Sequence, residues 1–325
     1  MTGVGALAAS LGIAGTARRT SAQQPARPRR IGVLLVASAR ESKEVRNFRE
    51  GLRDAGYAEG RDALIEWRSA NGSNDRISEL AVDLVQRDPE VIVAETTPGV
   101  RAVKQATSII PIVMTVVSDP VGSGLVANLA RPGGNVTGLS VMGSELGVKR
   151  LQLLKDTVPE LSRVAVLWNP DARAQTKTID ELKQAAHSLS LQLSLVPVRA
   201  EKEIGAAFAT INRTHAQAIC VLSDAQLLVH RGRLLDLASK ARIPAIYIER
   251  RFVDDGGLMS YGVDWAQQWR RAAGYVDKIL KGTLPGDLPI EQPTKLEFVV
   301  NLGAAKAIGL VIPESVLLRA DDIIK

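Results

Sequence analysis

The 325-residue chain has room for two domains, and with 46% hydrophobic and 23% charged residues its composition is that of a folded protein rather than a disordered one. The formal net charge is +6, but no segment interleaves many basic residues with aromatic ones, which argues against a nucleic-acid groove. The single cysteine, Cys220, excludes an intramolecular disulfide, and three scattered histidines without ligand spacing argue against a zinc site.

The N-terminus carries a short apolar stretch, VGALAASLGIAG, which has the length of a signal-peptide core and is too short to span a bilayer. Thr20-Ser21-Ala22 supplies small residues for cleavage, so we predict a signal peptide over residues 1–22. Two features depart from the usual pattern. No basic residue precedes the apolar stretch, and Arg18 and Arg19 lie where a cleavage region is ordinarily uncharged. A true start codon further upstream would explain the missing basic residues.

From Arg30 onward, short apolar runs alternate with amphipathic stretches, which predicts βαβ units and parallel sheets. In the first half the pattern predicts strands over 30–36, 63–70, 89–97 and 110–117, and helices over 43–57, 75–88 and 98–107. In the second half it predicts strands over 162–169, 191–198, 216–224 and 241–249, and a helix over 178–191. A helix over 264–282, an extended segment over 287–293 and a strand over 295–301 follow.

The two halves of the sequence resemble each other. RRIGVLLV is matched by SRVAVLWN and SIIPIVMTV by ARIPAIYIE, with Pro111 and Pro244 lying 133 residues apart. This repeat predicts two similar α/β lobes. The C-terminal elements exceed what a second lobe needs, so we expect the chain to cross back and return, forming a hinge and a cleft. The predicted lobes comprise residues 30–141 plus 262–290 and residues 142–261 plus 291–325.

A glycine-rich segment follows the predicted strand at 110–117. Gly122-Ser-Gly124-Leu-Val-Ala127 matches the G-x-G-x-x-A fingerprint of dinucleotide sites. Ser118-Asp119-Pro120 separates the strand from the glycines, however, and fewer than two helical turns fit before Arg131 and Pro132. An aspartate at the strand end would also repel a phosphate. We therefore predict that these glycines serve the turns and packing of a short helix.

Several segments closely resemble the ABC-transporter substrate-binding family, whose members include tryptophan- and tyrosine-type binders. They are FREGLRDAGYAEGRD, SDPVGSGLVANLARPGGNVTGLSV, GLMSYGVD and IEQPTKLEFVVNLGAAKAIGL. The resemblance covers the chain from Arg30 to Ile323 in the same order. It implies a type I periplasmic-binding-protein fold, in which two Rossmann-like lobes with parallel sheets are joined by a three-crossing hinge. It also implies a ligand in the cleft and delivery to the membrane permease of an ABC transporter.

Ligands of parallel α/β lobes bind at the carboxyl ends of the strands. The candidate binding residues at such positions are Ser38, Thr96, Thr97, Ser118, Asp119, Asn169, Ser223, Asp224, Tyr261 and Asp264. The resemblance supports six of them by motif, namely Thr96, Thr97, Ser223, Asp224, Tyr261 and Asp264. Hydroxyl groups and helix N-termini suit a carboxylate, an aspartate suits an ammonium group, and Tyr261 or Trp168 suits an apolar side chain.

Several of these candidates have a purely structural alternative. Thr97, Asp119 and Asp264 are each placed to cap a helix, and Tyr261 is placed to pack between the lobes.

We therefore predict a solute-binding subunit of an ABC importer, without catalysis, cofactor or metal. It is expected to be periplasmic and monomeric, and to capture an amino acid or a small carboxylate by hinge closure. One alternative is a ligand sensor for a membrane receptor. Another is a small-molecule hydrolase or isomerase that uses loop carboxylates, although neither a Gly-x-Ser-x-Gly elbow nor a phosphate-binding loop is present.

Overall fold

The computed structural model describes residues 27–172 and 174–325, so the predicted signal peptide lies outside the described residues. The first lobe is built on a five-stranded sheet in which all strands run parallel. Its strands are β1 (Arg29–Leu35), β2 (Ala63–Ser69), β3 (Val91–Glu95), β4 (Ile112–Val117) and β5 (Val136–Ser140). Their order across the sheet is β2-β1-β3-β4-β5.

The second lobe is built on a seven-stranded sheet of order β12-β11-β10-β9-β8-β6-β7. Its strands are β6 (Arg163–Trp168), β7 (Gln192–Pro197), β8 (Ala218–Val221), β9 (Ala245–Tyr247), β10 (Met259–Val263), β11 (Leu296–Asn301) and β12 (Asp322–Ile324). Strands β6 to β10 repeat the order of β1 to β5, so the repeat in the sequence is a repeat of topology. Strands β6 to β10 are parallel, and β11 and β12, which are parallel to each other, run antiparallel to them.

Helices cover both sheets. They are α1 (Lys43–Asp54), α2 (Asn74–Gln86), α3 (Thr96–Ala106), α4 (Gly143–Thr157), α5 (Ala174–Ser188), α6 (Ile204–Arg213), α7 (Ala225–Val229), α8 (Arg231–Lys240), α9 (Arg251–Asp254), α10 (Trp265–Leu280), α11 (Leu302–Ile308) and α12 (Glu314–Leu317). In the described part of the chain, no helix combines the length and apolar character needed to cross a bilayer. Helix α4 was not predicted from the sequence, because its buried leucines at 146, 151, 153 and 154 lie on more than one face and leave no clear apolar stripe.

The chain crosses between the lobes three times. It leaves β5 for α4 at residues 141–142, returns from β10 to α10 at Asp264, and leaves again between Glu291 and β11. Helix α10 packs so closely on α1 of the first lobe that a Cβ at Gly51 would lie 2.8 Å from Cβ of Ala273. The lobe boundaries remain a prediction, which this distribution of elements supports.

The glycine-rich segment does not form the predicted short helix. Asp119 Oδ1 accepts a hydrogen bond from Gly122 N at 2.8 Å, and Gly124 has a φ of +71°, so the segment is a series of turns. Carbonyl groups that a helix would use internally accept bonds from α3 instead, since Lys104 Nζ donates to Gly124 O and Leu125 O. The segment therefore lacks the helix that a dinucleotide site requires.

The thiol of the cysteine in β8 is expected to be unreactive in the folded protein. Cys220 is completely buried, and burial raises its pKa to about 11, so almost no thiolate forms at pH 8. We expect no reaction with a thiol-specific disulfide reagent at pH 8 until a denaturant is added, after which one thiol per chain reacts. Rapid labelling of native protein would contradict the burial of β8.

Candidate functional site

A cavity of about 310 Å³ lies between the two lobes, at the carboxyl ends of strands from both sheets. This volume is near the lower end of the range of about 300–1,000 Å³ typical of small-molecule sites. Its polar wall in the first lobe comes from α2, α3 and the end of β4, and consists of Asn74, Ser78, Thr96, Thr97, Arg101, Gln105 and Ser118. The second lobe contributes Asp171, Gln175, Ser223 and Asp224.

Two residues of the cavity wall have a strained backbone. Thr96, the first residue of α3, has a φ of +64°, and Val116, near the end of β4, has a φ of +57°. Such values are costly for side chains branched at Cβ and are concentrated at functional sites in proteins. Thr96 Oγ1 is also buried without a hydrogen-bond partner. A buried hydroxyl without a partner is costly, and rotation of this side chain toward the cavity would let it bond to a polar ligand atom.

The N-terminus of α3 is fixed by a buried glutamate. Glu95 Oε2 accepts hydrogen bonds from the backbone N–H groups of Val36, Ala37 and Ser38 at 2.7, 2.8 and 3.0 Å. Ser38 Oγ donates to Glu95 Oε1 at 2.5 Å and is buried outside the cavity lining. Ser38 therefore does not line the cavity. Its hydroxyl bonds to Glu95 and so helps to hold the first turn of α3.

Asp224 lies on the opposite wall and is almost fully bonded. Its Oδ1 accepts from the N–H groups of Gln226 and Leu227 at 2.8 and 3.3 Å, and its Oδ2 accepts from Asn169 Nδ2 at 2.9 Å. A carboxylate has about four acceptor positions, so about one remains for a ligand. Burial raises the pKa of Asp224, although these hydrogen bonds oppose the shift. A ligand cation would relieve the cost of this buried charge.

Asn169 and Gln175 orient this part of the wall. Gln175 Oε1 accepts from Asn169 N at 2.9 Å, and Gln175 Nε2 donates to Ser223 O at 2.8 Å. Asn169 lies outside the cavity lining, and its side-chain amide holds Asp224 in place.

Of the ten predicted binding residues, the structure brings five together in the cavity wall, namely Thr96, Thr97, Ser118, Ser223 and Asp224. Asp119 caps its own turn, and Asp264 caps α10 by accepting from Gln267 N at 3.2 Å. Tyr261 packs against Phe298 in a T-shaped pair, with 6.3 Å between ring centroids. Asp119, Tyr261 and Asp264, like Ser38 and Asn169, lie outside the lining of this cavity.

Among the lining residues that were not predicted from the sequence are Arg101, Gln105 and Trp265. A signal for two of them was present, because Thr97, Arg101 and Gln105 are spaced four residues apart and share one face of α3. Trp265 is the first residue of α10, directly after the predicted Asp264. The sequence gives no local sign that its ring, rather than the Asp264 carboxylate, reaches the cleft.

The charged groups of the cavity are divided between the lobes. Arg101 and the N-terminus of α3 place positive charge on the wall of the first lobe, and Asp171 and Asp224 place negative charge on the wall of the second. Among the described residues, no cluster of histidine, cysteine, aspartate or glutamate is arranged to hold a metal ion. The site can therefore bind a small dipolar molecule whose two charged ends face opposite lobes.

The lobes are in contact around the cavity. Gln226 Nε2 of α7 donates a hydrogen bond to Gly72 O, which precedes α2. Val229 of α7 packs so closely on this turn that a Cβ at Gly72 would lie 2.7 Å from Val229 Cγ2. On another side, Arg251 of the second lobe forms an ion pair with Glu44 of α1, with 3.4 Å between Nε and Oε1. Because the lobes touch each other on both of these sides, they are in a closed arrangement around the cavity.

Two parallel α/β lobes with a ligand-sized cavity at their hinge define a periplasmic-binding-protein fold of type I. A periplasmic binding protein/LacI transcriptional regulator from Alkaliphilus metalliredigens, 11% identical, shares it with a TM-score of 0.56 over 83% of this chain and 97% of its own. Residues 31–324 match the family described as ABC transporter substrate binding protein. The chain belongs to this family, whose members are binding proteins and not enzymes. The predicted fold class and the predicted family are confirmed.

Similar proteins include amino-acid binders. The tyrosine-binding protein of Clostridioides difficile is 27% identical over 282 residues, which cover 86% of this chain and 81% of that protein. An ABC domain from Streptococcus pneumoniae in complex with L-Trp is 25% identical, with a TM-score of 0.85 over 92% of this chain and 100% of its own.

The ligand-free, open structure of a substrate-binding protein with adhesive properties from Clostridium difficile gives a TM-score of 0.67 over 91% of this chain and 99% of its own. That protein is 24% identical to this chain.

Proposed function

We propose that this protein captures an aromatic amino acid in the cavity between its lobes and presents it to the permease of an ABC importer. The observation that carries the proposal is the division of charge across the cavity, with Arg101 on one lobe and Asp224 on the other. A zwitterion contacts both walls at once, so its binding favours the closed arrangement. The amino-acid binders among the similar proteins support the same class of ligand.

In this proposal the ligand carboxylate lies at the N-terminus of α3. Thr96 Oγ1 gains the partner that it lacks, and Thr97 and Arg101 contribute a second hydroxyl and a positive charge. The ligand ammonium group donates to the remaining acceptor position of Asp224. The aromatic side chain packs against the apolar part of the lining, which includes Trp265 and Leu228.

The proposal includes export to the periplasm, directed by the predicted signal peptide over residues 1–22. Delivery follows when the closed form docks on the permease as a monomer. Family membership supports association with an ABC transporter. Expression of the full chain with a C-terminal tag, followed by fractionation, tests export, and N-terminal sequencing of the product then locates the cleavage site.

Thermal unfolding of residues 23–325 tests the class of ligand. L-tryptophan or L-tyrosine at a thousandfold excess over its Kd adds about 4 kcal/mol to the free energy of unfolding, which raises Tm by several degrees. Tryptamine, which lacks the carboxylate, and indole-3-propionate, which lacks the ammonium group, are expected to give little or no shift. A shift with sugars or nucleotides and none with amino acids would refute the proposal.

A further inference from the structure

A buried cluster of charged residues joins the two lobes beside the ligand cavity. Arg251, the first residue of α9, forms an ion pair with Glu249 of its own lobe, with 3.0 Å between Nε and Oε1. The same Nε lies 3.4 Å from Oε1 of Glu44, which belongs to the first turn of α1 in the other lobe. The side chains of both glutamates are 4% exposed. This is a desolvated contact, not a surface salt bridge.

The electrostatics of the cluster favour the approach of the lobes. Burial disfavours the charged form of Arg251, but Glu249, Glu44 and Glu95 together raise its pKa above the ordinary value. Two of these carboxylates, Glu44 and Glu95, come from the first lobe. Burial raises the pKa of Glu249, and Glu44 adds to the shift while Arg251 opposes it. Closure therefore brings negative charge to a guanidinium that is already held in the second lobe.

The cluster is also connected to the wall of the cavity. The guanidinium carbon of Arg251 lies 4.7 Å from the centre of the Trp265 ring, in a cation–π contact. Trp265 lines the ligand cavity. Arg251 itself is not among the residues that line the cavity, so any effect it has on the ligand is exerted through Trp265 and through closure.

We infer that Arg251 is a positioning residue that couples occupation of the cavity to closure. In the closed form it joins Glu44 of the first lobe to Glu249 of the second and supports the ring of Trp265 from outside the cavity. In the open form it keeps Glu249 and loses Glu44, so the Glu44–Arg251 pair stabilises only the closed form. The inference rests on the proposed function and adds to it the residues that hold the complex shut.

The test compares Glu44→Gln with wild type in binding of L-tryptophan and L-tyrosine, by calorimetry and by stopped-flow fluorescence. The glutamine keeps the shape and helix propensity of the glutamate but removes its charge. We expect Kd to rise about tenfold, chiefly through a faster dissociation rate, because the ligand enters the open form and is retained by the closed one. The Tm of the ligand-free variant is expected to stay close to that of wild type.

Glu50→Gln is the matched control. Glu50 lies on the same helix and pairs with Arg270 at 3.0 Å, but that contact joins α1 to α10 and is exposed. Its substitution is expected to leave Kd unchanged. In an Arg251→Gln background, Glu44→Gln is expected to cause no further loss of affinity, because the partner is gone.

The outcomes separate the inference from the proposed function. If wild type binds an aromatic amino acid and Glu44→Gln binds it with an unchanged Kd, the coupling through Arg251 is refuted and the proposed function stands. An equal loss of affinity in Glu50→Gln would also refute it, since that would reflect damage to α1. If wild type binds neither amino acid, the proposed function fails and the coupling fails with it.

Discussion

Replacing Asp224 with asparagine is expected to weaken the binding of an aromatic amino acid by about 30-fold or more, with only a small change in Tm. Loss of one partner from a desolvated charge pair costs about 2–5 kcal/mol. The fold should tolerate the change because asparagine caps a helix as well as aspartate does, and Asp224 caps α7; only the bond from Asn169 Nδ2 to Oδ2 is lost. Calorimetry with L-tryptophan and L-tyrosine measures the loss.

The same residue predicts how affinity depends on pH. Burial raises the pKa of Asp224 in the free protein, and a bound ammonium group would lower it by favouring the ionised carboxylate. Affinity is therefore full above the pKa of the free protein. It falls as pH decreases through that pKa, because the free protein then carries one proton that ligand binding must release. The decline in affinity therefore begins above the ordinary aspartate pKa of about 3.9. In Asp224→Asn this dependence should disappear.

Asp119→Asn serves as the control for both measurements. Asp119 is also an aspartate at a strand end, but its side chain caps a turn outside the main cavity. The control should keep wild-type affinity and the wild-type pH profile. If Asp119→Asn weakens binding as much as Asp224→Asn does, the ligand ammonium group lies elsewhere in the cleft and the assignment to Asp224 is wrong.

Gly72→Ala is expected to hinder closure of the lobes. The new methyl group would lie 2.7 Å from Val229 Cγ2 across the cleft, closer than packed atoms allow. Overpacking of this kind costs about 1–3 kcal/mol, which corresponds to a roughly 5- to 150-fold loss of ligand affinity. Small-angle scattering should show that added ligand shrinks the radius of gyration of wild type more than that of the variant.

Gly60→Ala separates the clash from backbone strain. Gly60 and Gly72 have φ angles of +84° and +77°, so alanine is strained at both positions. A Cβ at Gly60 would meet no atom within 4 Å, however, so this variant should lose stability but keep affinity. Adding Val229→Ala to Gly72→Ala should restore part of the affinity. Equal effects of Gly60→Ala and Gly72→Ala on affinity would show that the contact with Val229 does not govern closure.

The local pattern of the sequence was enough to predict the two lobes. Alternating apolar runs and amphipathic stretches identified nine of the strands, β1 to β4, β6 to β9 and β11, because burial on a sheet or under a helix imposes its period on neighbouring residues. The repeat predicted two similar α/β lobes, and the two lobes share one strand order. Elements without a clear period, such as α4 and the turns around Gly124, were missed or predicted as helix.

The sequence also placed the site at the carboxyl ends of the strands, since that rule depends only on strand direction. It could not decide between ligand contact and capping, because the same aspartate after a strand suits both. Asp224 caps α7 in the structure, and in our proposal it also binds the ligand ammonium group. Asp264, in contrast, caps α10, and the next residue, Trp265, lines the cavity.

Only the tertiary structure brought together residues that are far apart in the chain. Glu44 and Arg251 have no local pattern that predicts a partner, and Gly72 meets Val229 only because the lobes close on each other. Local periodicity records which face of an element is buried, and it carries no information about which element of the other lobe will cover that face. The sequence by itself therefore determined the two lobes and the edge of their sheets at which the cavity lies. The docking of those lobes decided which side chains line the cavity and which meet across it.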